Sequence, residues 1–134
     1  MELTSRMAVR VARPTRDLEA AAAFYRDALG LPVLGSFEDH EGFSGVILGL
    51  PDASRQLELV DAPDADPEPT PEDQLVLYLG AAERVEQVAA RLRSAGFEAR
   101  VSPNPYWAGV GAVCFVDPDG YWLVLSPQSW TDDR

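Results

Sequence analysis

Residues 115–122, Phe-Val-Asp-Pro-Asp-Gly-Tyr-Trp, are the stretch that decides the fold. Proline and glycine beside aspartates are typical of a tight turn, and apolar residues continue on both sides of it. The pattern therefore predicts two strands, residues 111–116 and 121–126, joined by this turn. Side chains along such strands alternate between the two faces of a sheet.

The last of these strands has a counterpart 66 residues earlier in the chain. Leu57 and Leu59 stand at that separation before Leu123 and Leu125. The same separation relates three further pairs: Ala23 and Ala89, Gly30 and Gly96, and Gly45 and Gly111. We infer that one β-α-β-β-β unit has been duplicated. The sequence thus predicts an α+β fold, in which two tandem βαβββ units form a curled mixed sheet around a common cleft.

The two copies contain the same elements in the same order. Apolar residues at helical spacing predict one helix over 18–29 and another over 82–95, each ended by a glycine. The predicted strands are residues 7–13, 31–37, 45–50 and 56–60 in the first copy, and residues 74–79, 97–101, 111–116 and 121–126 in the second. Within a single domain of residues 1–134, the predicted parts are a unit over 7–61, a linker rich in proline and acidic residues over 62–73, a unit over 74–127 and a tail over 128–134.

Charge excludes several kinds of partner. The 134 residues include 22 acidic and 11 basic ones, which gives a net charge of −11. A surface with this much negative charge repels nucleic-acid phosphates and anionic lipids. We therefore expect neither nucleic acid nor a membrane as a partner. The sequence shows no secretory signal pattern and no apolar run of membrane-spanning length, which favours the cytoplasm.

The scarcity of cysteine and histidine limits the possible chemistry. Cys114 is the single cysteine and His40 the single histidine. A disulfide within the chain, a cysteine-built metal site and a site with two histidines from one chain are therefore excluded. We expect Cys114 to be a small buried apolar residue.

Short motifs mark the helices and the last strands of both copies. They are Asp17-Leu18-Glu19, Phe24-Tyr25, Leu29-Gly30-Leu31 and Gln56-Leu57-Glu58-Leu59 in the first copy, and residues 115–122 in the second. With these motifs, over about residues 7–127, the chain resembles the vicinal oxygen chelate superfamily, which includes glyoxalase I, extradiol dioxygenases, and bleomycin- and fosfomycin-resistance proteins. Ala12-Arg13-Pro14-Thr15 and Asn104-Pro105-Tyr106-Trp107 are similar to an uncharacterised bacterial subgroup of that superfamily.

The resemblance implies a metal held by histidines and at least one glutamate, from the first and last strands of each copy. The glutamate of the first copy falls on Glu58, and that of the second falls on Val124. The histidine of the second copy falls on Gln74, and that of the first falls on Ala8 or Arg10. Valine and alanine have no donor atom, and a guanidinium repels a cation. We therefore expect no cofactor, and a divalent metal is disfavoured.

Glu58 and Arg10 are the charged candidates for the expected cleft. Glu58 stands between two leucines, so it points to the opposite face, where it could be a catalytic base, a ligand contact or a carboxylate paired with an arginine. Arg10 stands between two valines in the same way. It could pair with Glu58, or bind a carboxylate or phosphate of a ligand.

The other candidate ligand-binding residues are His40, Gln74, Tyr106, Trp107 and Trp122. His40 belongs to an acidic segment expected as a loop, where it could be an acid or base or simply lie on the surface. Tyr106 and Trp107, in the equivalent loop of the second copy, could form the wall of an apolar site or pack internally. Trp122 stands two residues before Val124 and therefore faces the same side of the sheet. It could line the cleft or pack in the core.

Three functions remain open. The first is binding of a small organic molecule in a metal-free cleft, as in sequestration of the bleomycin-resistance type. The second is a lyase-, isomerase- or dioxygenase-like enzyme that acts on a small oxygenated substrate, with Glu58 as base or metal ligand. The third is a protein-interaction module without a ligand-sized cavity. The acidic exterior suits a cationic ligand, whereas Arg10 suits an anionic one. Exposed sheet edges and the family resemblance predict a homodimer.

Overall fold

The computed structural model describes residues 1–130 of the chain. The chain divides into two compact units, one over Met1–Pro67 and one that begins at Glu68. Each unit combines helix with a mixed sheet that does not close into a barrel. The predicted α+β class is therefore confirmed. Within residues 1–130, no helix is both long and apolar enough to cross a bilayer.

The first unit contains one helical segment and four strands. The elements are β1 (Val9–Pro14), α1 (Leu18–Ala22) with its π-helical continuation (Ala23–Ala28), β2 (Val33–His40), β3 (Phe43–Gly49) and β4 (Arg55–Asp61). The strand order is β1-β4-β3-β2, with β1 parallel to β4 and the other pairs antiparallel. Because β1 and β2 are the edges, β4 is a central strand. Its buried leucines, Leu57 and Leu59, alternate with Gln56 and Glu58, which point to the other face.

The helical segment covers one face of the first sheet. Asp17 caps it by accepting a hydrogen bond from the Ala20 backbone N–H at 3.1 Å. Its second half is wound more widely, since the Leu29 N–H donates to the carbonyl of Phe24. The buried Phe24 and Tyr25 belong to the core, together with the leucines of β3 and β4: Leu48, Leu57 and Leu59. On β4, the side chains that alternate with these leucines, Gln56, Glu58 and Val60, lie on the opposite face of the sheet.

As far as the structure describes it, to residue 130, the second unit contains three strands and two helices. The elements are β5 (Gln74–Tyr78), α2 (Ala82–Ser94), α3 (Pro105–Gly109), β6 (Val113–Val116) and β7 (Trp122–Ser126). The strand order is β5-β7-β6, with β7 parallel to β5 and antiparallel to β6. Helix α2 buries an apolar face of Val85, Ala89 and Leu92, at the spacing that the sequence predicts.

The turn between β6 and β7 has the form expected from its sequence. The Asp117 carboxylate is buried and accepts hydrogen bonds from the backbone N–H groups of Asp119 at 2.8 Å and Tyr121 at 3.0 Å. Gly120 has a φ of 98°, a conformation that favours glycine. This carboxylate therefore fixes the entry of β7 into the sheet.

The predicted strand over 97–101 is wrong. Within residues 1–130 the segment makes a single β-bridge, in which the backbone N–H of Arg100 donates to the Cys114 carbonyl at 2.8 Å. At its start the Phe97 N–H is bonded to the Leu92 carbonyl, so the segment begins as the continuation of the end of α2. One bridge does not make a ladder, and these residues are therefore not a strand.

Two predicted loops are also wrong. Residues 105–109 form α3, because the Asn104 side chain accepts from the Tyr106 N–H at 3.1 Å and Pro105 suits the first helical turn. His40 lies in β2 as its last residue and pairs with Phe43 across a tight hairpin. Residues 62–73 form neither helix nor strand, as predicted. Of the predicted tail, residues 131–134 lie outside the described part.

Candidate functional site

Three polar side chains meet on the face of the first sheet that is turned away from the helix. The Arg10 guanidinium donates through Nη1 to Glu58 Oε1 at 3.0 Å and through Nε to Gln56 Oε1 at 2.8 Å. We call Arg10, Gln56 and Glu58 the polar cluster. Arg10 lies opposite Gln56 in the parallel β1–β4 pair, and Glu58 follows two residues later on the same face. Strand register therefore builds this arrangement.

The polar cluster is partly open to solvent. The side chain of Arg10 is 46% exposed and that of Glu58 is 16% exposed. Gln56 is committed on both sides, because its Nε2 also donates to the Ala53 carbonyl at 2.8 Å. Among the residues that the structure describes, neither Arg10 Nη2 nor Glu58 Oε2 has a hydrogen-bond partner. The cluster therefore has a free donor and a free acceptor.

Apolar side chains continue the same face beyond Glu58. Ile47 lies opposite Glu58 on β3, and Val60 follows Glu58 along β4. The Phe37 ring lies across Gly45, where an added Cβ would come within 2.5 Å of the ring. Phe37, Ile47 and Val60 are all half-buried. We call these three residues the apolar shelf, since they offer a surface for a ring beside the polar cluster.

The equivalent face of the second sheet is apolar. Trp107 of α3, Cys114 of β6 and Val124 of β7 form a buried cluster, against which Val76 and Trp122 pack. Val124 is fully buried, and Cys114 is 3% exposed. Burial raises the pKa of the Cys114 thiol above its usual value. Trp107 is therefore internal to this unit, whereas Trp122 packs against the cluster and stays partly exposed.

Helix α3 is anchored by a short chain of hydrogen bonds. The buried Ser126 hydroxyl donates to Gln128 Oε1 at 2.8 Å, and Gln128 Nε2 donates to the Tyr106 hydroxyl at 3.0 Å. The Tyr106 ring is exposed and meets the Trp107 ring edge-on, with centroids 5.0 Å apart. Within residues 1–130 the buried Trp107 Nε1 has no acceptor. Tyr106 thus stays at the surface while its neighbour is internal.

The structure does not bring His40 to the polar cluster. His40 is exposed at the end of β2, the edge strand farthest from β1. Glu58 pairs with Ile47 of β3, and Ile47 pairs with Gly35 of β2, so Gly35 is the β2 residue level with Glu58. Conversely, sequence reasoning did not include Gln56 among the candidates. The available signal was its spacing of two residues from Glu58, which places both side chains on one face.

Strand register decides between the two positions that the sequence left open for the first-copy histidine. Gln74 pairs with Trp122 on β7, and Arg10 pairs with Gln56 on β4. Trp122 and Gln56 are themselves 66 residues apart. Arg10, not Ala8, is therefore the counterpart of Gln74.

The donor set of these positions does not fit a divalent metal. Val124 has no donor atom, and the Arg10 guanidinium offers only N–H groups. Gln74 donates to the Pro71 carbonyl at 3.0 Å and is left with one neutral oxygen. Glu58 is the single anionic donor among them. Within residues 1–130, no group of three or more histidine, cysteine or acidic side chains is placed to hold a metal ion.

The fold is that of the vicinal oxygen chelate superfamily, which confirms the resemblance noted in the sequence. The family of YycE-like N-terminal domains matches residues 9–60, and the family of YycE-like C-terminal domains matches residues 72–127. The chain belongs to the YycE-like family. It is 36% identical over 119 residues to the "Uncharacterized protein YycE" of Bacillus subtilis, covering 87% of this chain and 85% of that protein.

Solved structures agree with this assignment. A YycE protein of unknown function from Bacillus subtilis has a TM-score of 0.86 at 32% identity, covering 95% of this chain and 93% of that one. TnmS3, an antibiotic binding protein from a Streptomyces species, has a TM-score of 0.70 at 25% identity, covering 96% and 99%. Glyoxalase I of Leishmania major has a TM-score of 0.66 at 23% identity, covering 87% and 83%, and this likeness concerns the fold alone.

Proposed function

We propose that this chain is a small-molecule-binding protein that holds an organic ligand at the polar cluster without a metal ion. The observation that carries the proposal is the Arg10–Glu58 pair, which is fixed at 3.0 Å and still has a free donor and a free acceptor. A charged pair on a half-open sheet face contributes little to stability, so stability does not account for its presence, and a role in recognition is what we propose. The adjoining apolar shelf supplies contact area for the ligand.

The resemblance to TnmS3 supports a binding role. That protein is an antibiotic binding protein, and the likeness extends over 96% of this chain. The donor set at the family's metal positions supports the metal-free part of the proposal, because one carboxylate and one amide oxygen bind transition metals poorly.

A second candidate function is catalysis at the same place. Glu58 would be the base that removes a proton from a small oxygenated substrate, and Arg10, 3.0 Å away, would stabilise the negative charge that forms. This lyase- or isomerase-like reading is favoured by the position of the cation directly beside the carboxylate. This catalytic function would use the same two residues as the binding proposal, with conversion of the bound substrate as the additional step.

We further propose that the protein is a cytoplasmic homodimer. Val9 and Val11 of the edge strand β1 are 62% and 53% exposed, which suits a contact with a second copy. Light scattering after gel filtration gives the mass in solution, and a single-chain mass would refute the dimer.

Immunoblots of membrane, periplasmic and cytoplasmic fractions test the proposed cytoplasmic location.

The binding proposal is tested by NMR titration of labelled protein with a library of small aromatic amides, acids and amines. We expect hits to shift the backbone amide signals of residues 10, 56 and 58, and Arg10→Met to abolish those shifts. Arg93→Met is the matched control, because Arg93 pairs with Glu86 at 2.9 Å and is equally exposed. Hits that spare these signals would contradict the proposal.

The metal-free part and turnover need separate measurements. Purified protein is analysed for bound zinc, nickel, manganese and iron, and calorimetry with each ion is expected to show no binding. A stoichiometric metal would refute this part. A Glu58→Gln protein that still binds a hit but no longer converts it would establish the enzyme instead.

A further inference from the structure

We infer that the ligand is electrically neutral and presents a hydrogen-bond acceptor and a hydrogen-bond donor side by side, as a carboxamide or lactam does, next to an aromatic ring. The inference rests on the proposed function and names the ligand class for the same site. It follows from the charges, the free hydrogen-bonding groups and the apolar neighbours of the polar cluster.

The charge of the ligand follows from the ion pair. Arg10 and Glu58 neutralise each other at 3.0 Å. An anion that binds Arg10 would come close to the Glu58 carboxylate and be repelled, while a cation at Glu58 would meet the guanidinium. Either charged ligand must break the pair or tolerate a like charge. A neutral ligand leaves the pair intact.

The hydrogen-bonding pattern follows from what the two side chains can offer. A guanidinium only donates, and a carboxylate only accepts. Within the polar cluster, Arg10 Nη2 and Glu58 Oε2 have no partner among residues 1–130. A complementary ligand must therefore accept from one and donate to the other, through atoms that are close together.

Gln56 makes this pattern rigid. Its carbonyl oxygen accepts from Arg10 Nε at 2.8 Å, and its amide nitrogen is tied to the Ala53 carbonyl at 2.8 Å. Both polar atoms of Gln56 are thus in use, so it is a positioning residue that holds the guanidinium plane. A fixed donor lowers the entropy that binding must overcome.

The aromatic part of the ligand follows from the apolar shelf. Ile47 lies directly across from Glu58, and Val60 is two residues further along β4. The Phe37 ring closes the far end across Gly45. Half-buried apolar side chains at this position gain by contact with a ring whose polar head reaches the polar cluster.

The test compares benzamide, benzoate and benzamidine. The three probes share a phenyl ring and a planar head group, and they are neutral, anionic and cationic at neutral pH. Each is titrated into the full-length protein up to about 20 mM, the range in which fragments of this size bind. Affinity is taken from the backbone amide shifts of residues 10, 56 and 58.

We expect benzamide to bind at least about threefold more tightly than either charged probe. If benzoate or benzamidine binds most tightly at these residues, the inference is wrong while the proposed binding site stands. If none of the three shifts these signals, both the inference and the proposed function are refuted.

Variants of the pair sharpen the test. Glu58→Gln removes the like charge, so benzoate affinity should rise by about fivefold. Arg10→Met should weaken benzamide binding by about fivefold or more. Glu86→Gln and Arg93→Met change the same charges at the remote pair on α2 and should leave all affinities unchanged. An equal rise for benzoate in Glu86→Gln would reveal an effect of net charge alone and overturn the inference.

Discussion

The two sheets pair three corresponding strands in the same order, β1-β4-β3 and β5-β7-β6, and use the same face in opposite ways. On β4 this face carries Gln56 and Glu58, whereas 66 residues later β7 carries Trp122 and Val124. The neighbouring edge strands carry Arg10 in one sheet and Gln74 in the other. One copy of the duplicated unit thus presents a half-open ion pair, and the other buries apolar side chains.

The difference comes from the segments that precede β3 and β6. In the first unit β2 runs for eight residues and turns directly into β3, so no helix intervenes there. In the second unit the counterpart segment makes one bridge and then forms α3, whose Trp107 joins Cys114 and Val124 in the core. The pairing of three strands is therefore the same in both units, while the connecting segment decides whether the face is buried or available.

The largest effect is expected from exchanging the central residues of this face. Val124→Glu places a carboxylate at a fully buried site and should destabilise the protein by about 4 kcal/mol or more. The reciprocal Glu58→Val should change stability by at most about 1 kcal/mol, because Arg10 remains hydrated. Urea unfolding followed by circular dichroism measures both. If the two substitutions lowered the free energy of unfolding by similar amounts, the proposed difference between the two sheet faces would be wrong.

A smaller effect is expected at α3. Trp107→Ala should cost about 3 kcal/mol through the cavity it leaves, whereas Trp107→Phe should cost only about 1 kcal/mol, because it also removes a buried N–H without an acceptor among residues 1–130. His40→Ala, at the hairpin of the other unit, should stay within about 0.5 kcal/mol. The comparison uses thermal unfolding of each variant. A Trp107→Phe cost equal to that of Trp107→Ala would mean that the indole N–H is satisfied.

The burial of the Cys114 thiol predicts that the stability of the protein depends on alkaline pH. Its pKa is raised in the folded protein, so the unfolded chain loses the thiol proton first as pH rises. Stability should therefore fall above about pH 8.5, by up to about 1.4 kcal/mol per pH unit until the folded thiol also ionises. Cys114→Ala should remove this component. Urea midpoints from pH 7 to about pH 10 test it, and parallel curves for the two proteins would contradict it.

The smallest effect is expected for the coupling within the ion pair. A double-mutant cycle of Arg10→Met and Glu58→Gln should give a coupling energy below about 1 kcal/mol that declines with added salt. The Arg93–Glu86 pair, whose carboxylate is more exposed than that of Glu58, should give still less. A coupling of several kcal/mol at Arg10 and Glu58 would show that the pair serves folding, which would weaken the argument for recognition.

Sequence reasoning succeeded where the signal was local or repeated. The helix over 82–95 and the strands around Glu58 and Leu123 were predictable because periodicity and the 66-residue repeat agree. It failed over 97–101, where apolar alternation suggests a strand, but the Phe97 N–H is bonded to the end of α2 and Arg100 makes the one bridge seen within residues 1–130. It also missed α3, whose five residues are too few to show a helical period.

The sequence by itself determined the superfamily and the 66-residue repeat of helix and last strand, since these depend on residue identity and spacing. The tertiary structure alone decided that Arg10 pairs with Gln56 and Glu58, and that Trp107 is buried while Tyr106 is not. The physical reason is that register and burial arise from contacts between segments far apart in the chain. Strand pairing brings Arg10 to Glu58 across 48 positions, a relation that no local pattern encodes.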